Sequence, residues 1–214
     1  SSAHILSALQ GAGREEQEAE RDFFEVTEPI SYRDEQTGTE LLALPASDFH
    51  VTTLIDFNSP VLGHQYASLE NLSDYGKEIA PCRTFVFLHE LEQLLDQNLI
   101  KGGDLDNAIV IVDRLLDPDD LKRLAQRLGK SDIRVEKEGV LNTTNLHFEN
   151  EPARHKLLDI IGDLALLGRP IKGRIVATKP GHTANVEFAK ILKRRYVEQR
   201  KLKGLPKYDP NQEP

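Results

Sequence analysis

His155 and Asp159 are spaced four residues apart, and Asp163 follows after another four. On a helix these three side chains share one stripe, drifting by about 40° per step at 3.6 residues per turn. Imidazole and carboxylate are both zinc ligands, and a catalytic zinc keeps three protein ligands and one water. The stripe offers two of the three, His155 and Asp159. The same spacing also suits a plain ion pair on a helix surface, and the pattern alone does not separate the two readings. His182 follows Gly181 at a corner where a predicted strand gives way to a predicted helix. Asp163 is its candidate partner, since a neighbouring carboxylate raises an imidazole pKa and fixes its tautomer. A water-exposed histidine at a helix start is the plainer alternative.

The elements that position these residues can be read from periodicity. Residues 152–167 make the clearest helix, with Pro152 in its first turn and Gly168 after its end. Leu157, Leu158, Ile160, Ile161, Leu164, Leu166 and Leu167 surround the polar stripe, so the helix is buried over much of its circumference. Polar groups in such a helix need partners. A strand at 174–178 and a helix from His182 past Tyr196 follow.

Upstream, 3–9 reads as a short apolar helix and 11–20 as a polar, acidic linker. Strand-like stretches at 24–30 (interrupted by Pro29), 41–44 and 50–57 predict an antiparallel meander. A short helix at 72–79 precedes a strand at 83–87, a helix at 88–95 and a strand at 108–112. A helix at 118–128 lies between Pro118 and Gly129, and short strands are expected at 133–135 and 146–148. Strands first and helices interleaved later give an α+β fold, a two-layer sandwich of a mostly antiparallel sheet and helices.

Composition excludes several classes. The formal net charge of -8 argues against a nucleic-acid partner, which a protein binds with a basic surface. The single cysteine, Cys82, cannot form an internal disulfide and fits a reducing compartment. No apolar run approaches the ~18 residues of a membrane span. The opening residues lack the basic start and apolar stretch of a signal peptide. The chain has no methionine, which points to a fragment or a processed chain. Lys190, Lys193, Arg194, Arg195, Arg200, Lys201, Lys203 and Lys207 crowd the last helix and tail. They suit a solvated face, a phosphate-bearing ligand or an anionic membrane surface.

The run from His155 to Leu164, HKLLDIIGDL, resembles the HKxLDxxGDL motif of the UDP-3-O-acyl-N-acetylglucosamine deacetylases of lipid A synthesis. Further stretches keep the family's order. Arg83-Thr84-Phe85 is similar to its RTF strand, and Gly102 to Ala108 to its GG-x-x-DNA stretch. Asp56-Phe57-Asn58-Ser59-Pro60 is similar to its DFNHP segment, with Ser59 in place of a histidine, and Lys179-Pro180-Gly181-His182 to its K-S-G-H segment. The resemblance implies that His155 and Asp159 bind Zn2+, that His182 carries a proton to the leaving amine, and that Asp163 orients it. It also implies that Lys156 and Thr84 face the substrate and the oxyanion. It further implies a small β-α-β insert, about 85–112, forming a passage for the fatty acyl chain. Phe85, Leu88, Leu91, Leu95, Ile100 and Leu105 are the candidates for its wall, and ordinary core positions are the alternative for each.

The family's first domain supplies a third zinc ligand and a general base in a Glu-His-Leu motif. Here Ala3-His4-Ile5-Leu6 is only a partial echo. The expectation is that 1–20 ends a first domain, 21–200 is the second domain, and 201–214 leads to another. That further domain is expected to be the 3-hydroxyacyl-carrier-protein dehydratase to which some such deacetylases are fused. The stretch 117–145 is longer than the family usually carries and is expected to form an extra surface subdomain. The expected substrate is the UDP-linked acylated glucosamine, and the location cytoplasmic or peripheral to the inner membrane. Alone, the chain is expected to be weakly active or inactive. The alternative is a non-catalytic acyl- or partner-binding module of the same fold.

Overall fold

The computed structural model describes residues 2–57, 59, 62–97, 108–112, 116–129, 133, 139 and 146–204. Helix α1 (Ala3–Ala12) precedes strands β1 (Phe24–Glu25), β2 (Ile30–Asp34), β3 (Thr39–Leu44), β4 (Phe49–Asp56) and β5 (His64–Leu69). A 3-10 turn at Leu72–Asp74 runs into α2 (Tyr75–Glu78). Then come β6 (Thr84–Phe87), α3 (Leu88–Asp96), β7 (Ala108–Ile111), α4 (Pro118–Arg127), α5 (Glu151–Leu164), β8 (Ile171–Thr178) and α6 (His182–Leu202).

The main sheet has the order β2-β3-β8-β4-β5, with β1 added alongside β8. The pairs β2–β3, β3–β8 and β4–β5 are antiparallel, whereas β4 and β1 run parallel to β8. The fold is α+β and the sheet is mixed. The expected meander is corrected here: β8, the last strand in sequence, inserts between β3 and β4, with Leu42 opposite Val176 and Thr52 beside the same residue. Strand β8 earns that central place by strict alternation, burying Ile171, Gly173, Ile175 and Ala177 and half-burying the residues between. A Cβ on Gly173 would stand 2.6 Å from Val26 Cγ2, so the approach of the chain after β1 requires glycine there. Strand β5 escaped the sequence reading because His64, Gln65 and Ser68 dilute its apolar alternation. The expected strand at 146–148 is absent, and those residues form an irregular lead into α5.

Helices α5 and α6 cover one face of this sheet. Ala153, Leu157, Ile160 and Leu164 of α5 meet Ala184, Phe188, Leu192 and Tyr196 of α6 in one core with the strands. The spacing of four along α6 keeps its apolar side chains on a single face. Beyond α5, Gly168 adopts φ 77° and ends the helical stretch.

A second unit follows the expected β-α-β order. Strands β6 and β7 pair in parallel, from Thr84 opposite Ala108 to Phe87 opposite Ile111, with α3 between them in sequence. Its core gathers Leu88, Leu91, Val110, Val112, Leu124, Ala125, Leu128 and Ile133, apart from the main one. Helix α4 therefore packs on the insert, and most of the remainder of the expected 117–145 subdomain lies outside the described residues. Asp117 caps it by accepting from Asp120 N at 2.7 Å, and Pro118 stands in its first turn.

A buried ion pair joins the two units. Glu151, the first residue of α5, is fully buried and accepts from Arg83 N, Arg83 Nε and Arg83 Nη2, each at 2.9 Å, and from His147 N at 2.7 Å. Burial works against its ionisation, yet these donors outweigh it and hold the carboxyl below its ordinary 4.5. Its stabilising contribution is present above that ordinary value and is lost as pH falls through the lower folded value. Replacing Arg83 by Met strands the carboxylate, and the expected loss is about 3–5 kcal/mol at neutral pH by urea unfolding. A loss under about 1 kcal/mol, as for an exposed pair, contradicts the anchoring role.

Candidate metal and acid–base site

The polar stripe of α5 runs down the flank of the helix. His155 Nε2 lies 3.3 Å from Asp159 Oδ1, with the two side chains 15% and 9% exposed. Lys156 Nζ donates to the other oxygen, Asp159 Oδ2, at 2.9 Å. One turn on, a rise of about 6 Å, Asp163 Oδ2 accepts from His182 Nδ1 at 2.9 Å and from Asn185 Nδ2 at 2.9 Å. The predicted partnership of Asp163 with His182 is present, and Asp163 ties that ring to the stripe bearing His155 and Asp159. A carboxylate only accepts, so His182 carries a proton on Nδ1 and leaves Nε2 free for other chemistry. The ring is 69% exposed, so protons reach it readily.

His155 is in a different state. Burial is the largest influence on it and lowers its pKa, while the Asp159 carboxylate pulls the other way and Lys156 adds to the lowering. The Cys82 carbonyl also favours the protonated ring, although Nδ1 has no hydrogen bond of ordinary geometry. The outcome is a neutral imidazole, the form that binds a metal. His155 Nδ1 and Asn185 Oδ1 are the two buried side-chain polar atoms without a hydrogen-bond partner among the described residues. Both belong to this site, where an unpaired buried group costs about 1–3 kcal/mol.

The fit of a zinc ion can be judged from the donors. Two ligands about 2.0–2.1 Å from one tetrahedral ion stand roughly 3.3–3.4 Å apart. His155 Nε2 and Asp159 Oδ1 have that separation, at 3.3 Å. Among the described residues no three His, Cys, Asp or Glu side chains gather around one point. The stripe thus supplies a pair of donors.

The insert borders the stripe. Lys156 Nζ lies 5.6 Å from the centre of the half-buried Phe85 ring, and Phe85 stacks edge-on with Phe57 at 5.2 Å. Phe57 also meets Phe87 at 5.7 Å and is 38% exposed. The Asp56-to-Pro60 motif alone does not mark Phe57; its contacts with Phe85 and Phe87 do. Thr84, beside Phe85 on β6, is exposed. Leu88 and Leu91 are 0% and 2% exposed inside the insert's own core, so the structure places them as packing residues rather than as an open wall. Ile100 and Leu105, and the side chain of Leu95, lie outside the described residues. An open apolar recess of about 510 Å3, lined partly by Phe23, Phe49, Leu72, Ile161 and Leu164, contains none of the predicted site residues.

Behind His182 the backbone is strained. Lys179 has φ 49°, the one non-glycine residue with positive φ among those described. Such a conformation costs about 1–2 kcal/mol. Three contacts hold it: its N–H donates to Leu54 O at 2.8 Å, its carbonyl accepts from Thr39 Oγ1 at 2.8 Å, and its Nζ pairs with Asp56 Oδ2 at 3.2 Å. The bend delivers Pro180-Gly181 to the start of α6 and sets His182 beside Asp163.

The family described as LpxC, UDP-3-O-acyl N-acetylglycosamine deacetylase, matches residues 1–128 and 124–194. The chain belongs to the LpxC family. It is 43% identical over 214 residues to the bifunctional enzyme LpxC/FabZ of Bacteroides thetaiotaomicron, covering 100% of this chain and 46% of that protein. It is 36% identical over 186 residues to the UDP-3-O-acyl-N-acetylglucosamine deacetylase of Syntrophotalea carbinolica, covering 86% of this chain and 52% of that one. Over 192 residues it is 34% identical to the same-named protein of Chlamydia pneumoniae, covering 89% and 59%. The chain thus spans about half the length of the LpxC relatives it matches. No helix among the described residues is long and apolar enough to cross a membrane.

The opposing influences on His155 give a test. Followed by NMR, its ring should titrate below the ordinary 6.5, and Asp159→Asn should lower the value further by removing the main upward pull. A rise on that substitution contradicts the assignment.

Proposed function

We propose that this chain is the zinc-binding half of an LpxC-type deacetylase. The reaction is hydrolysis of the N-acetyl group of UDP-3-O-(hydroxyacyl)-N-acetylglucosamine, releasing acetate, in lipid A biosynthesis. The observation that carries the reading is the pair of ligand-type donors, His155 Nε2 and Asp159 Oδ1, 3.3 Å apart on one helix flank. A third ligand and the general base belong to a first deacetylase domain, of which 1–20 is the closing part. Zinc bound by His155 and Asp159 would supply Lewis acidity that lowers the pKa of a water towards ~7.

The chain's own residues account for the remainder. His182, held through Nδ1–H by Asp163, is the general acid in its imidazolium form: it gives its Nε2 proton to the departing glucosamine nitrogen and is left as the neutral ring protonated on Nδ1. Lys156 orients Asp159 through its 2.9 Å contact and adds positive charge where the acetyl oxygen becomes negative. Thr84, exposed on β6 beside Phe85, is the further substrate-facing candidate. Phe57 and Phe85 offer the apolar surface for substrate that the leucines of the insert core do not. Likeness to the bifunctional relatives favours a dehydratase domain joined through 201–214. The proposed place of work is the cytoplasm, at or near the inner membrane surface.

Zinc content and turnover test the reading in the natural full-length protein. His155→Ala should lose bound zinc. His182→Ala should keep zinc and lose roughly 10²–10⁴-fold in kcat, the usual range for a general acid. Full zinc occupancy after His155→Ala, or unchanged turnover after His182→Ala, sinks the proposal.

A further inference from the structure

Asn185 stands on α6 one turn beyond His182 and is fully buried. Its Nδ2 donates to Asp163 Oδ2 at 2.9 Å, the same oxygen that accepts from His182 Nδ1 at 2.9 Å. Its Oδ1 has no partner among the described residues. We propose that Asn185 is a positioning residue for His182, acting through Asp163, an inference that rests on the deacetylase reading above. The buried amide fixes the carboxylate oxygen, and the fixed oxygen holds the imidazole with its Nδ1 proton inward and Nε2 outward.

The three groups are unequally anchored. His182 is 69% exposed and Asp163 16% exposed, so neither ring nor carboxylate is confined by packing alone. Asn185 is confined, because it lies in the closely packed interior between α5 and α6. It is the one inflexible donor in the trio. Helix capping does not explain it: its backbone N–H already bonds Gly181 O at 2.9 Å, and its Oδ1 accepts from no N–H of the helix start. Packing does not explain it either. The neighbouring buried positions of α6 hold Ala184, Phe188 and Ala189, and an apolar residue at 185 would leave no orphaned carbonyl. What asparagine adds at this position is the Nδ2 donor.

Two substitutions of similar size test this in the natural full-length protein. Asn185→Leu removes both polar atoms, and Asn185→Asp removes the donor at neutral pH. The expected result for each is a kcat lower by about 10–100-fold, the scale of a hydrogen-bonded supporting residue. KM should stay within about twofold, because substrate binding is not touched. The thermal midpoint of Asn185→Leu should be unchanged or higher. In the imidazole 15N NMR spectrum, recorded at a pH where the ring is neutral, His182 should pass from a form protonated on Nδ1 to a mixture of tautomers. Variants that keep kcat within about twofold, while His182→Ala is crippled, overturn the positioning role and leave the deacetylase reading intact. Loss of kcat with an unchanged His182 spectrum and a lowered thermal midpoint also overturns it, as plain structural damage. An inert His182→Ala instead removes the underlying reading, and the NMR comparison still decides whether Asn185 orients the ring.

Discussion

The buried carboxylate of Glu151 governs the geometry of everything downstream on α5. It has given up water for four N–H groups, three from Arg83 and one from His147. Arg83 immediately precedes β6, and Glu151 opens α5, so the pair locks the helix carrying the site against the strand that leads into the insert. Arg154 strengthens the same corner. It donates to Glu78 Oε2 at 2.7 Å and to Asn150 Oδ1 at 2.8 Å, and its guanidinium lies 4.0 Å from the centre of the Phe148 ring. Rotating α5 by one residue would break this fan of bonds, and would also swing His155 and Asp159 off their shared flank.

From that fixed start the helix builds a gradient. At its first residue the charge is sealed and paired. One turn on, His155 and Asp159 are 15% and 9% exposed, and burial keeps the imidazole neutral. Two turns further, Asp163 meets a ring that is 69% exposed. Two histidines thus receive opposite assignments from one helix. Under the proposed function the sheltered one gives a lone pair to a metal, and the open one carries and exchanges a proton. Difference of environment, rather than of residue type, separates the roles.

Much of this was legible because it is local. The i, i+4 stripe, Pro152, Gly168 and the run of α6 follow from helical period and end signals, and the structure reproduces them. The pairing of Asp163 with His182 was also foreseeable, since a corner histidine beside a buried acidic stripe has few other partners. What stayed hidden is long-range. The insertion of β8 between β3 and β4 depends on pairings more than a hundred residues apart, to which strand periodicity is blind. Glu151 reads as an ordinary first-turn acid until Arg83, 68 residues away, is brought to it. Leu88 and Leu91 had the composition of a passage wall, but α4 arrived from outside the expected insert and closed over them. Asn185 gives no signal at all in sequence, because mid-helix asparagine is common and its meaning lies in one oxygen of a neighbouring helix.

The distribution of cost supports the same location for function. The polar groups at the Glu151 corner are satisfied several times over. The two buried side-chain atoms left without partners among the described residues, His155 Nδ1 and Asn185 Oδ1, both fall on the stripe, and the one positive-φ non-glycine residue, Lys179, lies three positions before His182. Each is a penalty that a purely structural solution avoids with an apolar side chain or a glycine. A core that meets its polar requirements elsewhere and accepts these penalties here is organised around the groups that incur them. Under the proposed function their shared effect is orientation: of a ring that offers a lone pair, of a carboxylate held from rotating, and of a chain that turns to deliver a second ring.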